Sequence, residues 1–258
     1  MQNHLVLAFL GGLLVTTAGC KVNLELELTD ETRSVDSFTG VNNRSDADVT
    51  LAKPGNGLEA GDVLVSCAGD FVADVSTVVD ANGTLIIDFA AEVASIFDCT
   101  ITVVTEDVTE VITDGDGDIV CEDPLVGVQT IQVNGNGSVV FASVEVGELN
   151  ILVGGTGAVT IDEVTVDQLN IELRGTGDAT LGGTAGRVDL LISGSGSLAA
   201  KPLVAGYLNA ALNGTGNAEI TVNGIVDAAV DGDSTLDVYG AAEAGTISEL
   251  DGGTVVFH

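Results

Sequence analysis

Apolar and polar residues alternate along most of this 258-residue chain. The segments 149–153, 169–173, 188–192 and 208–212 each place an apolar residue at every second position, and a further alternating segment follows each of them. A period of two is typical of β-strands that bury one face, whereas an amphipathic helix needs a period near 3.6. The pattern therefore predicts an all-β protein.

A Gly-x-Gly triplet separates the two alternating segments of each unit. The first glycines of successive triplets are 20, 20, 19 and 20 residues apart, and degenerate copies follow at Gly232 and Gly252. A unit of this size cannot bury its own apolar face, so stacked units must bury it together, which predicts a β-solenoid. We expect glycine here because the turn requires a positive φ. The predicted turn glycines are Gly135, Gly137, Gly155, Gly157, Gly175, Gly177, Gly194, Gly196, Gly214 and Gly216.

Two further positions recur with the same period. Stacked amide side chains can hydrogen-bond along a solenoid, so we interpret the first position as a structural ladder, with a ligand-binding strip as the alternative. The ladder comprises Asn150, Asn170, Asp189, Asn209 and Asp227, five residues before each first glycine. The second position varies between copies, faces outward, and is where we expect any recognition to occur. It comprises Gly154, Arg174, Ser193, Asn213 and Asp231.

The first twenty residues predict export. Eleven residues from Leu5 to Val15 are too few to span a bilayer, which needs about 20, but they suit a secretory signal. Thr-Ala-Gly-Cys at 17–20 resembles the bacterial lipobox, so Cys20 is the predicted lipidation site, and Lys21 after it favours the outer membrane or cell surface. The alternative is an ordinary secreted protein. The predicted segments are a signal peptide at 1–19, a lipidated N-terminus with a tether or first strand at 20–32, an irregular β-solenoid half with an acidic loop at 33–127, and a regular half at 128–258.

The charge balance narrows the possible partners. The chain has 39 acidic and 7 basic residues, for a net charge of −32. Such a chain repels nucleic acid and anionic lipid, so we expect neither as a partner. The acidic residues are interleaved with Val, Ile and Leu, which distinguishes the chain from a disordered acidic one. The expected partners are the membrane, through the N-terminal lipid, a surface glycan or protein ligand, and a second copy of the chain.

Besides the lipidated Cys20, the predicted mature chain contains three cysteines, Cys67, Cys99 and Cys121. An exported protein can form disulfides, and the short loop between Cys99 and Cys121 makes that pair the first choice. Cys67–Cys99 is the second choice, and one thiol is left over in either case. The spacing of the cysteines does not match that of a metal site.

Asp114, Asp116 and Asp118 resemble the start of a calcium loop. An EF-hand requires glycine at the sixth loop position and glutamate at the twelfth, but these positions hold Ile119 and Leu125, which excludes an EF-hand. A looser Ca²⁺ site and a plain acidic turn remain as alternatives. We expect no other cofactor.

The chain resembles the head GIN domain family of autotransporter-type adhesins. The resemblance rests on the run Arg-Ser-Val-Asp-Ser-Phe-Thr-Gly-Val at 33–41, on Asn-Gly-Thr-Leu-Ile-Ile at 82–87, and on the Gly-Ser/Thr-Gly rows. It covers roughly residues 33–258, and the cysteines and the acidic stretch 106–124 depart from it. The resemblance implies a right-handed parallel β-helix, shaped like the pectin lyases without their catalytic residues, and a role in cell adhesion.

These features predict a non-catalytic envelope lipoprotein that acts by binding. One alternative is a purely structural envelope protein, and another is a polysaccharide-active β-helix enzyme. Enzymes of that last kind usually need basic and aromatic residues, and the repeat offers few: Arg174, Arg187, Lys201, Tyr207 and Tyr239. Arg174 and Arg187 fall on neighbouring units, where they could contact one anionic ligand or pair with nearby acidic residues.

Overall fold

The computed structural model describes residues 27–69, 71–89, 99–121, 123 and 125–258. Within these residues, nineteen strands join one continuous sheet, and the helical structure is limited to a 3-10 turn at Phe71–Asp74. Stacked parallel strands form a β-solenoid of about seven turns, which confirms the predicted fold class.

The strands fall into a segmented N-terminal group and a regular C-terminal group. The first group comprises β1 (Leu28–Ser34), β2 (Gly40–Asn43), β3 (Asp48–Ala52), β4 (Asp62–Ala68), β5 (Val75–Val79), β6 (Thr84–Phe89), β7 (Cys99–Val104), β8 (Glu110–Thr113), β9 (Ile119–Cys121), β10 (Leu125–Val126) and β11 (Thr130–Val133). The second comprises β12 (Val139–Val153), β13 (Val159–Leu173), β14 (Ala179–Ile192), β15 (Leu198–Gly214), β16 (Ala218–Gly232), β17 (Thr235–Tyr239), β18 (Glu243–Leu250) and β19 (Thr254–Phe257).

In the regular half, each rung from β12 to β16 is one long strand. Strands β12 to β16 contain 14 to 17 residues each and pair in parallel with the strand one repeat away, as in Leu149 opposite Leu169. The sequence pattern predicted two strands per unit, one on each side of the Gly-x-Gly triplet. The triplet does separate strands, since β12 ends at Val153 and β13 begins at Val159. The alternating segment after one triplet and the segment before the next triplet, however, form a single strand that bends and stays in the sheet.

The rung formed by β13 has three sides. In β13 the buried positions are 159, 161, 164, 166, 169, 171 and 173, so the inward parity changes near 162–163 and again near 167–168. With the Gly-x-Gly turn these two bends make three corners. The third side, which in β13 is residues 168–173, is called side three below.

The turn glycines are required by stacking. None of the ten predicted turn glycines, all of which are described, has a positive φ, so the expected reason for glycine was wrong. A Cβ added at Gly155 would overlap the carbonyl oxygen of Gly135 in the preceding rung, and one added at Gly175 would overlap that of Gly155. Backbones therefore approach so closely at this corner that only a residue without a side chain fits.

The irregular half stacks its strands out of chain order. Strand β2 lies between β6 and β8, so Gly40 pairs with Thr84 on one side and Glu110 on the other. Strands β5 and β6 form an antiparallel hairpin around Asn82-Gly83, a dipeptide that favours hairpin turns, and Gly83 has a φ of 80°. Antiparallel pairing of β4 with both β1 and β7 completes this half.

The disulfide joins Cys67 to Cys99, the second of the two predicted pairings. These residues lie directly opposite each other on β4 and β7, with Cα atoms 4.2 Å apart. The first choice, Cys99–Cys121, was wrong because β3 pairs with both β7 and β9 and so separates the two cysteines. Cys121 is a buried free thiol, and burial raises its pKa to about 11.

The core is a set of apolar rows that run from rung to rung. One row passes through Leu149, Leu169, Val188, Leu208 and Val226, each of which has no exposed surface. Because inward side chains fill the interior, ligands can reach only the outer faces and the corners.

Candidate binding groove

The outer face of side three carries a shallow open groove of about 540 Å³. The groove runs between two outward rows of side chains, each following the register of β11 to β15. The first, the amide row, is the predicted ladder of Asn150, Asn170, Asp189, Asn209 and Asp227, of which the first four residues line the groove. The second, the mixed row, is Gln132, Leu152, Glu172, Leu191 and Ala211.

The amide row is hydrogen-bonded along part of its length. Asn170 Nδ2 donates to Asn150 Oδ1 at 2.8 Å, and Asn209 Nδ2 donates to Asp189 Oδ1 at 2.9 Å. Asn170 Nδ2 also donates to Glu148 Oε1, and its Oδ1 accepts from Gln168 Nε2. The row is thus a ladder and, at the same time, one wall of the groove, so the structural and the binding interpretations describe the same residues.

Both acidic residues in the groove wall are paired with an arginine. Arg174 Nε lies 2.6 Å from Glu172 Oε1, and Arg187 Nε lies 2.6 Å from Asp189 Oδ2. The hydrogen bonds from Arg187 lower the pKa of Asp189, and those to Asp189 raise the pKa of Arg187. The two arginines thus pair with acidic neighbours on their own strands, which was one of the two interpretations left open by the sequence.

Tyr207 lies next to Arg187, at the edge of the groove. The Arg187 guanidinium carbon lies 4.5 Å from the centre of the Tyr207 ring, a cation–π arrangement. The Tyr207 hydroxyl donates to Asp227 Oδ2, and this hydrogen bond raises the pKa of Tyr207 and lowers that of Asp227. A network therefore fixes the end of the amide row near Asp227. It consists of Arg187, Asp189, Tyr207 and Asp227.

The corner strip predicted for recognition is exposed but lies outside the groove. Gly154, Arg174, Ser193 and Asn213 are exposed and Asp231 is half-buried, yet none of them lines the groove. The groove uses the outward positions two and four residues earlier in the chain. A sequence signal for it existed: consecutive apolar residues at 151–153 and 190–192 interrupt the alternation, which indicates that Leu152 and Leu191 face outward.

The three aspartates at 114–118 stabilise the corner. Gly115 and Gly117 form a further copy of the turn, twenty residues before Gly135, and this copy lies outside the predicted set of turn glycines. Asp114 accepts from Asn134 Nδ2, Asp116 from Asn136 Nδ2 and Asp118 from the backbone N–H of Ser138. Among the described residues, no group of three His, Cys, Asp or Glu is arranged to hold a metal ion.

The predicted lipidation site, Cys20, lies outside the described residues, so its modification stays a prediction. Within the part of the chain that the structure describes, no helix is long and apolar enough to cross a bilayer.

A β-solenoid of stacked parallel strands defines this chain as a repeat protein. Residues 37–242 match the family described as "Putative auto-transporter adhesin, head GIN domain", and the chain belongs to that family. Comparison with curated proteins finds no match.

Solved structures of adhesin-type proteins share the fold. One described as a "putative adhesin" from Parabacteroides distasonis has a TM-score of 0.82 at 21% identity, over 91% of this chain and 98% of that one. Another from Parabacteroides merdae has a TM-score of 0.78 at 19% identity, over 90% and 96%. A third from Bacteroides fragilis has a TM-score of 0.66 at 22% identity, over 90% and 97%. These identities are low, so the likeness is one of fold.

Proposed function

We propose that this protein is a non-catalytic, adhesin-like binding protein of the bacterial cell envelope, anchored by lipid at Cys20. Family membership across residues 37–242 carries the adhesin-like part of the proposal, since the family description names that role. The groove on side three supplies a surface on which such binding can occur. Repetition of weak contacts along the rungs, and across several anchored copies, would raise the overall avidity.

The lipid anchor is supported by the sequence at 17–20. A diacylated or triacylated Cys20 would hold the solenoid at the membrane without a spanning helix, because each buried methylene contributes about 0.8 kcal/mol of membrane affinity. Fractionation of cells that express the full chain tests this point. The wild-type chain should sediment with membranes, and Cys20→Ser should appear in the soluble or secreted fraction. Equal membrane association of both would contradict the anchor.

The proposal that the protein is not an enzyme is supported by the arginine pairing of the carboxylates in the groove. Glu172 and Asp189 are each held by an arginine, and the pKa of Asp189 is lowered, whereas a general acid requires a raised pKa. Incubation of the purified chain with polysaccharides should therefore release no reducing sugar. Release of fragments above the level of a heat-denatured control would contradict this part of the proposal.

Retention on an array tests the binding itself. The full chain should be retained on an array of host-matrix proteins and surface glycans. No retention on any element of the array would contradict the adhesin-like role and favour a purely structural envelope protein.

A further inference from the structure

The groove has a chemistry that differs from the rest of the surface. We infer that it binds an uncharged polysaccharide chain, lying along the solenoid axis between the amide row and the mixed row. The inference rests on the proposed binding function and adds to it the class of ligand and its place. Charge, hydrogen-bonding capacity, apolar surface and length each support it.

Charge is the first argument. The whole chain carries a net charge of −32, yet each groove carboxylate among the described residues has an arginine partner: Arg174 for Glu172 and Arg187 for Asp189. Two of the seven basic residues are thus placed beside one groove, where they balance the two carboxylates that line it. A polyanion would be repelled by the surrounding surface. A polycation would be drawn to the unpaired carboxylates elsewhere, so the groove itself favours an uncharged ligand.

Hydrogen-bonding capacity is the second argument. Asn209 uses one amide hydrogen on Asp189, and its Oδ1 accepts from no described residue. Asn150 uses one amide hydrogen on the carbonyl oxygen of Gln129 and one lone pair on Asn170. Each of these amides therefore retains a donor and an acceptor. Sugar hydroxyls both donate and accept, so a row of amides is suited to binding them. Asn170 has already used both of its amide hydrogens.

The opposite wall is the third argument. The mixed row presents Leu152, Leu191 and Ala211 to the groove, and the two leucines are half-buried although they point outward. One amide wall and one apolar wall fit a pyranose ring, which has hydroxyl groups on its edge and C–H groups on its faces. A wholly polar groove would not favour the C–H face, because burial of apolar surface drives that contact.

Length is the fourth argument. The groove crosses the five rungs that carry Gln132, Leu152, Glu172, Leu191 and Ala211. Neighbouring strands are about 4.8 Å apart, so four intervals give roughly 19 Å. This length fits several sugar units of a chain, and it exceeds what one monosaccharide would occupy.

Calorimetric titration tests the inference with defined hexasaccharides. The full-length protein is titrated with the uncharged probes cellohexaose, mannohexaose and maltohexaose. An anionic probe, hexagalacturonate, and a cationic probe, fully deacetylated chitohexaose, are titrated in parallel. We expect saturable binding of at least one uncharged hexasaccharide and at least tenfold weaker binding of both charged probes.

Three variants locate the site. Asn209→Ala removes a donor and an acceptor from the amide wall, and Leu191→Asp introduces a negative charge into the apolar wall. The matched control is Asn213→Ala, because Asn213 is exposed on the neighbouring corner, outside the groove. Asn209→Ala should weaken binding about tenfold and Leu191→Asp should abolish it, while Asn213→Ala should bind as the wild type does. Thermal unfolding of each variant verifies that it is folded.

Several outcomes would overturn the inference. They are the absence of binding to all uncharged hexasaccharides, tighter binding of either charged probe, or wild-type affinity in both groove variants. The array experiment separates this failure from that of the proposed function. Retention of the wild type together with undiminished retention of the groove variants would leave an adhesin-like role in place and exclude the groove as its site.

Discussion

In residues 139–232 each rung stacks on the rung one repeat earlier in the chain, whereas in residues 40–121 neighbouring strands come from distant parts of the sequence. The regular half gains stability by repeating one local arrangement, and its backbones approach closely at glycine corners. The irregular half inserts β2 between β6 and β8, adds antiparallel strands and carries the disulfide.

The comparison shows two ways of stabilising the same kind of sheet. Contacts between rungs twenty residues apart close short loops. Those of Gly40 with Thr84 and Glu110 close loops about two and three and a half times as long, which costs more entropy. A cross-link is most useful where such loops are long. We therefore expect the stability of the irregular half to depend on the disulfide and on side-chain interactions. The stability of the regular half should depend on its turn glycines.

Removal of the disulfide should have the largest effect. The Cys67→Ala, Cys99→Ala double variant should lose about 2–4 kcal/mol of unfolding free energy, because the bond spans 32 residues and restricts the unfolded chain. Denaturant unfolding measures the loss, and hydrogen exchange should locate the loosening in residues 27–121. Reductant should destabilise the wild type and leave the double variant unchanged. An unaltered wild type in reductant would contradict the prediction.

A methyl group at a stacking corner should have the next largest effect. Gly155→Ala places a Cβ against the carbonyl oxygen of Gly135, and the backbone shift that relieves the overlap should cost roughly 1–3 kcal/mol. The matched control is Gly147→Ala in β12, the strand before this turn, where an added Cβ meets nothing within 4 Å and φ is not positive. That variant should be neutral or slightly stabilised. Equal losses in the two variants would show that the close approach to Gly135 is not responsible.

A break in the amide row should have a smaller effect. Asn170→Ala removes hydrogen bonds to Asn150, Glu148 and Gln168, and we expect a loss of about 1 kcal/mol, because each such bond is partly replaced by water. Asn213→Ala, on the exposed corner, should change the unfolding free energy by less than about 0.5 kcal/mol. A similar loss in both variants would mean that the row contributes no stability of its own.

The smallest effect should come from Asp80, and it should depend on pH. Asp80 Oδ1 accepts from the backbone N–H groups of Asn82 and Thr84 in the β5–β6 hairpin, and these bonds lower its pKa. A lowered folded-state pKa contributes stability that is present above the ordinary aspartate value, about 3.9, and is lost as pH falls through the folded value.

The Asp80→Ala variant should therefore be less stable than the wild type near neutral pH. The two proteins should converge as pH is lowered below about 4, because the carboxylate of the wild type is then protonated. Thermal unfolding across pH 3 to 7 measures the difference. A constant difference across this range would show that the charge of Asp80 has no part in holding the hairpin.

The structure of the regular half could be predicted from the sequence because short, local patterns define it. Period-two alternation and a triplet every twenty residues define strand, turn and stack without reference to distant residues, and the hairpin at Asn82-Gly83 is equally local. The strand order of the irregular half could not be predicted in the same way. Its rungs do not repeat with a constant period, so proximity along the chain suggested Cys99–Cys121 when β3 in fact separates the two cysteines.

By itself, the sequence determined the all-β class, the twenty-residue rung and the column of amides, because each depends on spacing along one strand. Only the tertiary structure decided that glycine is needed at the corner for close backbone approach, since that contact joins residues of different rungs. It also decided the disulfide and the pairing of Arg174 and Arg187 with groove carboxylates. The groove belongs to this second group, because a surface formed between two rows exists only after the rungs have stacked.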